Sequence, residues 1–287
     1  MYENVVSSAQ VPPLAKPMVE VAPKDGLFHL DLQEIWHYRE LLYFLVWREV
    51  KVRYKQAALG VAWAVVQPLT TMLIFTAVFG NFAKIPSDGL PYPVFAYAAL
   101  LPWSYFAEAI SRSGVSVVSD TNLIRKVYFP RLILPLASVM TPVVDFCVSF
   151  LILLCLMAWY HVIPTWGVIL LPFFLLLALL TALSVGLWLS ALNVRYRDVR
   201  FTIPFLVQIW MYASPVVYPV SLVPERWRIV FNLNPMVGVI EGFRWALLGK
   251  ASPDFQAITV SVIGVLVLLI GGLLFFKRME STFADVV

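Results

Sequence analysis

Six long apolar segments constrain the fold of this chain more than any other feature of its sequence. A helix that spans a membrane needs about 20 mostly apolar residues. The segments that meet this requirement are 61–80, 92–111, 132–160, 164–192, 201–220 and 256–276. Composition agrees, because only 13% of the residues are charged, whereas soluble domains carry about 25%. The sequence therefore predicts an all-α integral membrane protein with six transmembrane helices.

The distribution of basic residues predicts the orientation of these spans. Lys and Arg are enriched in the cytoplasmic loops of membrane proteins. Most of the 21 Lys and Arg residues lie before the first span, in the second-to-third and fourth-to-fifth loops, or after the last span. We therefore expect both termini in the cytoplasm. Residues 1–30 are expected to form a flexible tail, and residues 31–287 a single transmembrane domain.

The segment 36–56, just before the first span, contains neither Pro nor Gly. At 100° per residue its apolar and basic residues occupy neighbouring sectors, which predicts a helix lying on the cytoplasmic membrane surface. Its basic side chains would gain about 1 kcal/mol each against anionic lipid. The residues concerned are Arg48, Lys51, Arg53 and Lys55. Alternatively, these charges serve only to fix the orientation of the first span.

The stretch FNLNPMVGVIEGFRWALLG, residues 231–249, is too apolar for water and too polar and broken for a spanning helix. It predicts a pair of short helices that enter the outer edge of the membrane and return. Asn234 would be the N-cap of the second helix, and Pro235 its first residue. Glu241 and Arg244 would share one helix face at a wet protein surface. The alternative is an interfacial loop that only anchors the chain.

Sequence motifs for catalysis are absent. No G-x-x-x-x-G-K-[ST] phosphate loop occurs, so the chain does not bind ATP in that mode. No catalytic or metal site is expected either. The notable acids within spans are Glu108, which we expect to pair with Arg112 at i,i+4, and Asp145. A carboxylate at mid-membrane costs about 2.5–3.5 kcal/mol, so Asp145 should face other helices or water. It is either a structural hydrogen-bond partner or a residue of a transport pathway.

Aromatic residues are dense in and around the first and fifth spans. The apolar CH faces of sugar rings stack on aromatic side chains, so an aromatic-lined passage suits a carbohydrate. Ordinary packing and interfacial anchoring are the alternative explanation. The candidate channel aromatics are Trp63, Phe75, Phe79, Phe205, Trp210 and Tyr212.

Four stretches together resemble one family. They are LVWREVKVRYKQAALGVAWAVVQPL before and within the first span, NLIRKVYFPRLILPLAS before the third, NVRYRDVRFTIPFLVQIW before the fifth, and SPVVYPVSLVPERWRIVFNLNPMVGVIEGFRWALLG after the fifth. In order and spacing they resemble the type-two ABC exporter permeases over most of residues 35–276. Within that family the chain is most similar to the branch that exports O-antigen, capsule and teichoic-acid chains.

The resemblance implies a homodimer of six-span subunits that encloses a channel in the bacterial cytoplasmic (inner) membrane. Two separate ATPase subunits would bind ATP and Mg²⁺, so this chain would need no cofactor of its own. A coupling helix is implied around Asp120, Asn122, Arg125 and Lys126. Outer gate helices are implied at Asn234, Pro235, Glu241 and Arg244.

The expected function is ATP-driven export of a lipid-linked polysaccharide. Membrane lipids are expected as further partners, and nucleic acid is not. The basic surface helix and the loop at residues 55–60 would receive the diphosphate of the carrier lipid. An exporter of the same family for teichoic acid, capsule, lipid or drug is the nearer alternative. A membrane-embedded glycan or lipid-phosphate enzyme is the more distant one, because no cluster of acids and bases at one depth is evident.

Overall fold

Helices make up every regular element of the computed structural model, which describes residues 32–55, 62–249 and 255–286. The predicted tail at 1–30 and most of the loop at 55–60 lie outside these ranges. The helices are α1 (Leu32–His37), α2 (Arg39–Lys55), α3 (Ala62–Phe75), α4 (Tyr92–Ser119), α5 (Thr121–Lys126), α6 (Ile133–Met140), α7 (Val143–Trp159), α8 (Leu171–Arg195), α9 (Val199–Tyr212), α10 (Glu225–Asn232), α11 (Pro235–Leu248) and α12 (Phe255–Val286). An all-helical fold is thereby confirmed for the described residues.

Four helical segments are long and apolar enough to cross a membrane. They are Ala62–Phe82, Ile133–Trp159, Trp166–Arg195 and Phe255–Glu280, and they coincide with the predicted first, third, fourth and sixth spans. The segment Ala62–Phe82 consists of α3 and a π-helical stretch that continues it. The segment Ile133–Trp159 is interrupted at Thr141–Pro142, between α6 and α7. The interruption follows from Pro142, because proline lacks an amide hydrogen and disturbs the preceding helical turn.

The predicted second span corresponds to α4, which occupies the centre of the bundle. It has 28 residues and packs against α3, α6, α7, α8, α9 and α11. Most of its side chains are buried. Its polar residues Glu108, Ser111 and Arg112 are partly buried.

The predicted fifth span, 201–220, is helical only in its first part. Helix α9 ends at Tyr212, and turns follow it. Pro215 and Pro219 have no amide hydrogen to continue a helix. The carbonyl groups of this irregular segment are satisfied by side chains instead: the Tyr92 hydroxyl donates to the Val217 oxygen over 2.8 Å, and Arg244 Nη2 donates to the Val216 oxygen over 2.9 Å.

Of the two short helices predicted within residues 231–249, α11 (Pro235–Leu248) is present, whereas α10 begins earlier, at Glu225, and only its last two residues fall in that stretch. Asn234 is the N-cap of α11, since its side chain accepts a hydrogen bond from the Met236 amide over 3.0 Å, and Pro235 is the first residue of the helix. Helix α11 packs against α4, α8 and α12. A Cβ at Gly242 would collide with the ring of Phe174, so glycine permits this close approach.

The predicted Glu241–Arg244 pair also forms, with 3.2 Å between Oε1 and Nη1, but its predicted wet surroundings are wrong for Arg244. This residue is only 6% exposed, because α11 is enclosed by its neighbours. The guanidinium lies 3.6 Å from the centre of the Phe95 ring. It also donates to the carbonyl oxygens of Phe95, Val216 and Tyr218. Arg244 therefore fastens the irregular segment after α9 to both α4 and α11.

We predict that Arg244→Met lowers the melting temperature of the detergent-purified protein and costs about 3–5 kcal/mol, because it leaves Glu241 and several carbonyls without their partner. The exposed Arg226→Met is the matched control and should be almost neutral. Exchanging the charges, Glu241→Arg with Arg244→Glu, should not restore stability, since a carboxylate at position 244 cannot donate to carbonyls. Full recovery in the exchanged variant would contradict this account of Arg244.

Candidate functional site

A cluster of paired charges joins α2 to the rest of the bundle. Arg53 of α2 lies between two carboxylates, with Nη1 3.0 Å from Oε1 of Glu108 on α4 and 2.7 Å from Oδ2 of Asp145 on α7. The neighbouring Tyr54 donates its hydroxyl hydrogen to Asp145. Three helices that are far apart in sequence thus meet at one guanidinium.

Two more ion pairs extend this cluster along α2 and α4. Arg112 Nε lies 2.7 Å from Glu108 Oε1, which confirms the predicted i,i+4 pair, and Arg112 Nη1 lies 3.6 Å from Glu49 of α2. Arg48 Nη2 contacts both carboxylate oxygens of Asp120, over 2.9 and 3.2 Å. Helix α2 is therefore attached at the α4–α5 junction as well as in the middle of α4.

Asp145 lies within Ile133–Trp159, a segment long and apolar enough to cross a membrane, about 21 Å along α7 from Trp159 at roughly 1.5 Å per residue. An uncompensated carboxylate inside the roughly 30 Å hydrocarbon layer would be costly. Contacts with Arg53 and Tyr54 give Asp145 the structural role that the sequence left as one of two alternatives. Burial raises the pKa of the Tyr54 hydroxyl, and Asp145 raises it further, so Tyr54 remains a hydrogen-bond donor at neutral pH.

Of the four basic residues that the sequence analysis assigned to the lipid diphosphate, two form ion pairs with carboxylates and two do not. Arg48 and Arg53 are engaged with carboxylates. Lys51 and Lys55 are exposed, and neither forms an ion pair within the described part of the chain. Sequence reasoning missed the long-range pairs Arg48–Asp120 and Arg53–Asp145. The signal that could have found them was the need of each carboxylate near membrane depth for a nearby cation.

The predicted coupling segment forms a short helix of its own, α5, which begins just after Asp120. Asn122, Arg125 and Lys126 are exposed on it. Ile124 turns inward and packs against the cluster that includes Phe276 and Phe283 of α12. Helix α5 is therefore packed on one side, and its polar residues are exposed on the other. Asp120, just before the helix, is paired with Arg48.

The six candidate channel aromatics fall into two groups. Trp63, Phe205 and Tyr212 are exposed, at 54%, 64% and 55%. Phe75 is buried and meets Phe79 edge-on at 5.5 Å. Trp210 packs edge-on against Phe106 at 5.1 Å. The structure therefore leaves Trp63, Phe205 and Tyr212 available to an external ligand, and gives the other three packing contacts within the subunit.

The exposed aromatics lie on two helices that contact α4: Trp63 is on α3, and Phe205 and Tyr212 are on α9. Helices α3 and α9 both pack on α4. Helix α9 uses the side where Trp210 meets Phe106. Ser104, Ala107 and Ser111 follow one another on the face between, at helical spacing, and all three are at least partly exposed. We call this surface the α3–α9 groove, with small residues on its floor and aromatic residues on its flanks.

Asn234 connects the helix pair α10–α11 to the end of α9. Its Oδ1 accepts from Trp210 Nε1 over 2.9 Å, and its Nδ2 donates to the Ala213 oxygen over 3.0 Å and to Ser214 Oγ over 2.9 Å. Together with its N-cap bond, the side chain satisfies both ends of its amide. The predicted outer-gate residues Asn234, Arg244 and Glu241 thus fix the position of the groove's α9 flank.

These features define a class of protein: a helical membrane-embedded subunit that has paired internal charges and an open, aromatic-flanked groove. No group of three or more His, Cys, Asp or Glu residues in the described ranges could hold a metal ion.

The chain belongs to the ABC-2 type transporter family, whose family model matches residues 40–248. It is a permease subunit of that family. A protein described as O-antigen export system permease protein RfbA of Myxococcus xanthus is 31% identical over 88% of this chain and 98% of its own length. A protein of the same description from Klebsiella pneumoniae is 25% identical over 86% and 95%. The polysialic acid transport protein KpsM of Escherichia coli is 23% identical over 82% and 91%.

We predict that the Arg53–Asp145 contact stabilises the folded protein by about 1.5–3 kcal/mol, the range for hydrogen bonds to charged groups. Arg53→Met should therefore lower the melting temperature. The same substitution should cost less when Asp145→Asn has already removed the charge that Arg53 neutralises. Lys51→Met, on the exposed side of α2, is the control. Equal losses from Arg53→Met in both backgrounds would show that the two residues do not interact.

Proposed function

We propose that this chain is the channel-forming subunit of an ATP-driven exporter that moves a lipid-linked polysaccharide, such as O-antigen, across the bacterial cytoplasmic membrane. The α3–α9 groove is the observation that carries this proposal. Its aromatic flanks offer stacking surfaces to sugar rings, while Ser104 and Ser111 on its floor offer hydroxyl groups. The relatives named for O-antigen export and for polysialic acid transport support a polysaccharide over a drug or an unmodified lipid.

The groove is open along one side, which supports a homodimer. We propose that a second copy closes the groove, so that α3 and α9 of the two copies surround one passage. The subunit would then have six spans, with α4 as the second and α9 as the short fifth. Helix α9 covers only about 21 Å at roughly 1.5 Å per residue, so the irregular segment after it would complete the crossing under the cover of α4 and α11. Such backbone at membrane depth needs protein cover.

The distribution of basic residues supports cytoplasmic termini, which places α5 in the cytoplasm and the α10–α11 pair at the outer side of the membrane. We propose that α5 docks on a separate ATPase subunit, and that this partner binds ATP and Mg²⁺. Motion of α5 would reach α2 directly through the Arg48–Asp120 pair. Helices α10 and α11 would close the outer mouth of the passage.

Lys51 and Lys55 are the better candidates for the diphosphate of the carrier lipid, because Arg48 and Arg53 already neutralise carboxylates. Both lysines are exposed at the end of α2 that leads towards the first span. As exposed cations they would attract phosphate in a salt-dependent manner.

Reconstitution tests the proposed function. We expect proteoliposomes that contain this chain and its ATPase partner to move a polyprenyl-diphosphate-linked glycan across the bilayer when ATP is supplied, measured by the accessibility of the glycan to an added glycosidase. A partner with its phosphate-binding lysine replaced is the control and should give no ATP-dependent change. If the intact complex also leaves the glycan on its original side, export of such a glycan is not its function.

The coupling role of α5 has its own test. Arg125→Glu together with Lys126→Glu should weaken binding of the ATPase subunit about tenfold or more, equivalent to ~1.4 kcal/mol, with normal membrane insertion. The control is Arg195→Glu together with Arg197→Glu, which changes the charge by the same amount in the next loop expected on the cytoplasmic side. It should weaken binding of the ATPase subunit less. An equal loss from both double variants would indicate general attraction by basic loops instead of docking at α5.

A further inference from the structure

A cavity with both polar and apolar lining opens beside the paired charges, between α3, α4 and α7. Its volume is about 100 Å³, several times the roughly 10–15 Å³ that one water requires. Side chains from all three helices line it, together with Arg53 from α2. The exposed ring of Trp63 stands at its edge. Ser104 belongs both to this cavity and to the floor of the α3–α9 groove, so the cavity is a side pocket of the groove.

Part of the hydrogen-bonding capacity in this pocket is unused by the protein. Arg53, Glu108 Oε1 and Asp145 bind one another. In contrast, the Gln67 carboxamide, the Ser104 hydroxyl and Glu108 Oε2 form no hydrogen bond with any residue of the described ranges. Gln67 and Ser104 are both exposed. Each can both donate and accept, except the carboxylate oxygen, which only accepts.

We propose that this pocket binds one pyranose ring of a glycan during its passage, with the Trp63 ring stacked on the apolar face of the sugar and Gln67, Ser104 and Glu108 bound to its hydroxyl groups. The inference rests on the proposed function and specifies a subsite within it. A few convergent polar groups beside an aromatic surface are typical of small-ligand pockets. The planar carboxamide and carboxylate suit neighbouring hydroxyls, because a hydroxyl group both donates and accepts.

Other occupants fit this chemistry poorly. A phosphate group offers only acceptors at neutral pH apart from its acidic hydrogen, and the carboxylates of Glu108 and Asp145 would repel it. A cation would meet the guanidinium of Arg53 at the same site. An acyl chain would leave the polar groups of Gln67, Ser104 and Glu108 without partners. A neutral ring rich in hydroxyl groups satisfies all of them.

Thiol protection tests occupancy directly. In a Cys147→Ser, Cys155→Ser background, Ser104→Cys would be labelled with a small water-soluble thiol reagent in nanodiscs that contain the complete complex with the ATPase. A polyprenyl-diphosphate-linked glycan should slow labelling at position 104 about fivefold or more, whereas polyprenyl diphosphate without sugar should not. Equal protection by both lipids would assign the pocket to the carrier diphosphate, and no protection by either would remove the pocket from the glycan's path.

Substitutions at the pocket's unengaged side chains give a second readout. Gln67→Leu should raise the glycan-lipid concentration needed for half-maximal ATPase stimulation about fivefold, the effect of one hydrogen bond. Trp63→Ala should raise this concentration by a similar factor. Trp63→Phe should retain stacking and most of the affinity. Gln33→Leu and Trp36→Ala, both at exposed positions of α1, are the matched controls. Basal ATP hydrolysis should be unchanged in the two control variants, Gln33→Leu and Trp36→Ala.

The outcomes separate the two proposals. If the intact complex is stimulated by the glycan lipid but Gln67→Leu and Trp63→Ala respond like their controls, the pyranose subsite is wrong while export of a glycan stands. If the intact complex shows neither stimulation nor transport with any glycan lipid, the proposed function itself fails.

Discussion

The guanidinium of Arg53, held between the carboxylates of Glu108 and Asp145, is the interaction on which the rest of this structure depends. Carboxylates at such depth are tolerated only when they are neutralised. Removing one partner of a desolvated ion pair costs more than the pair itself contributes. This requirement fixes α2 against α4 and α7. Helix α3 is held on α7 by a separate contact, in which the Ser149 hydroxyl donates to the Ala64 oxygen over 3.0 Å.

The α9 side of the groove depends on a second buried cation. Arg244 holds the irregular segment after α9 by its carbonyl groups, and Asn234 holds the last turn of α9 itself. Backbone that is not helical survives at membrane depth only where side chains or water satisfy it. Since both anchors lie on or beside α11, this helix acts as a fixed support. In the proposed transport cycle, the outer mouth would therefore open by a movement of α10. Alternatively, whole helices would shift, and α11 would then move as one unit with the segments that Arg244 and Asn234 hold.

Local features of the fold could be predicted from the sequence, because they depend on residues close together in the chain. Four apolar segments, the Asn234 cap, the Pro235 helix start and the Glu108–Arg112 pair are of this kind. For the Arg53–Asp145 and Arg48–Asp120 contacts the sequence indicates only that each carboxylate needs a nearby cation; which cation supplies it depends on how distant helices pack and rotate. Rotation also decides which aromatics are exposed, so the sequence could not separate Phe205 from Phe75. The helical part of the fifth span is shorter than predicted. The prediction relied on hydropathy, which does not reflect the helix breaks imposed by Pro215 and Pro219.

Distances between two copies of the chain test the central claim most directly. Spin labels would be placed at Phe205→Cys, on the groove, or at Trp159→Cys, at the exposed end of α7, in a background without the native thiols of Cys147 and Cys155. If the α3–α9 groove faces its counterpart across one passage, the separation between copies in nanodiscs is shorter for position 205 by more than about 10 Å, one helix diameter. A shorter separation at position 159, or no second copy in the complex, would contradict a channel built from this groove.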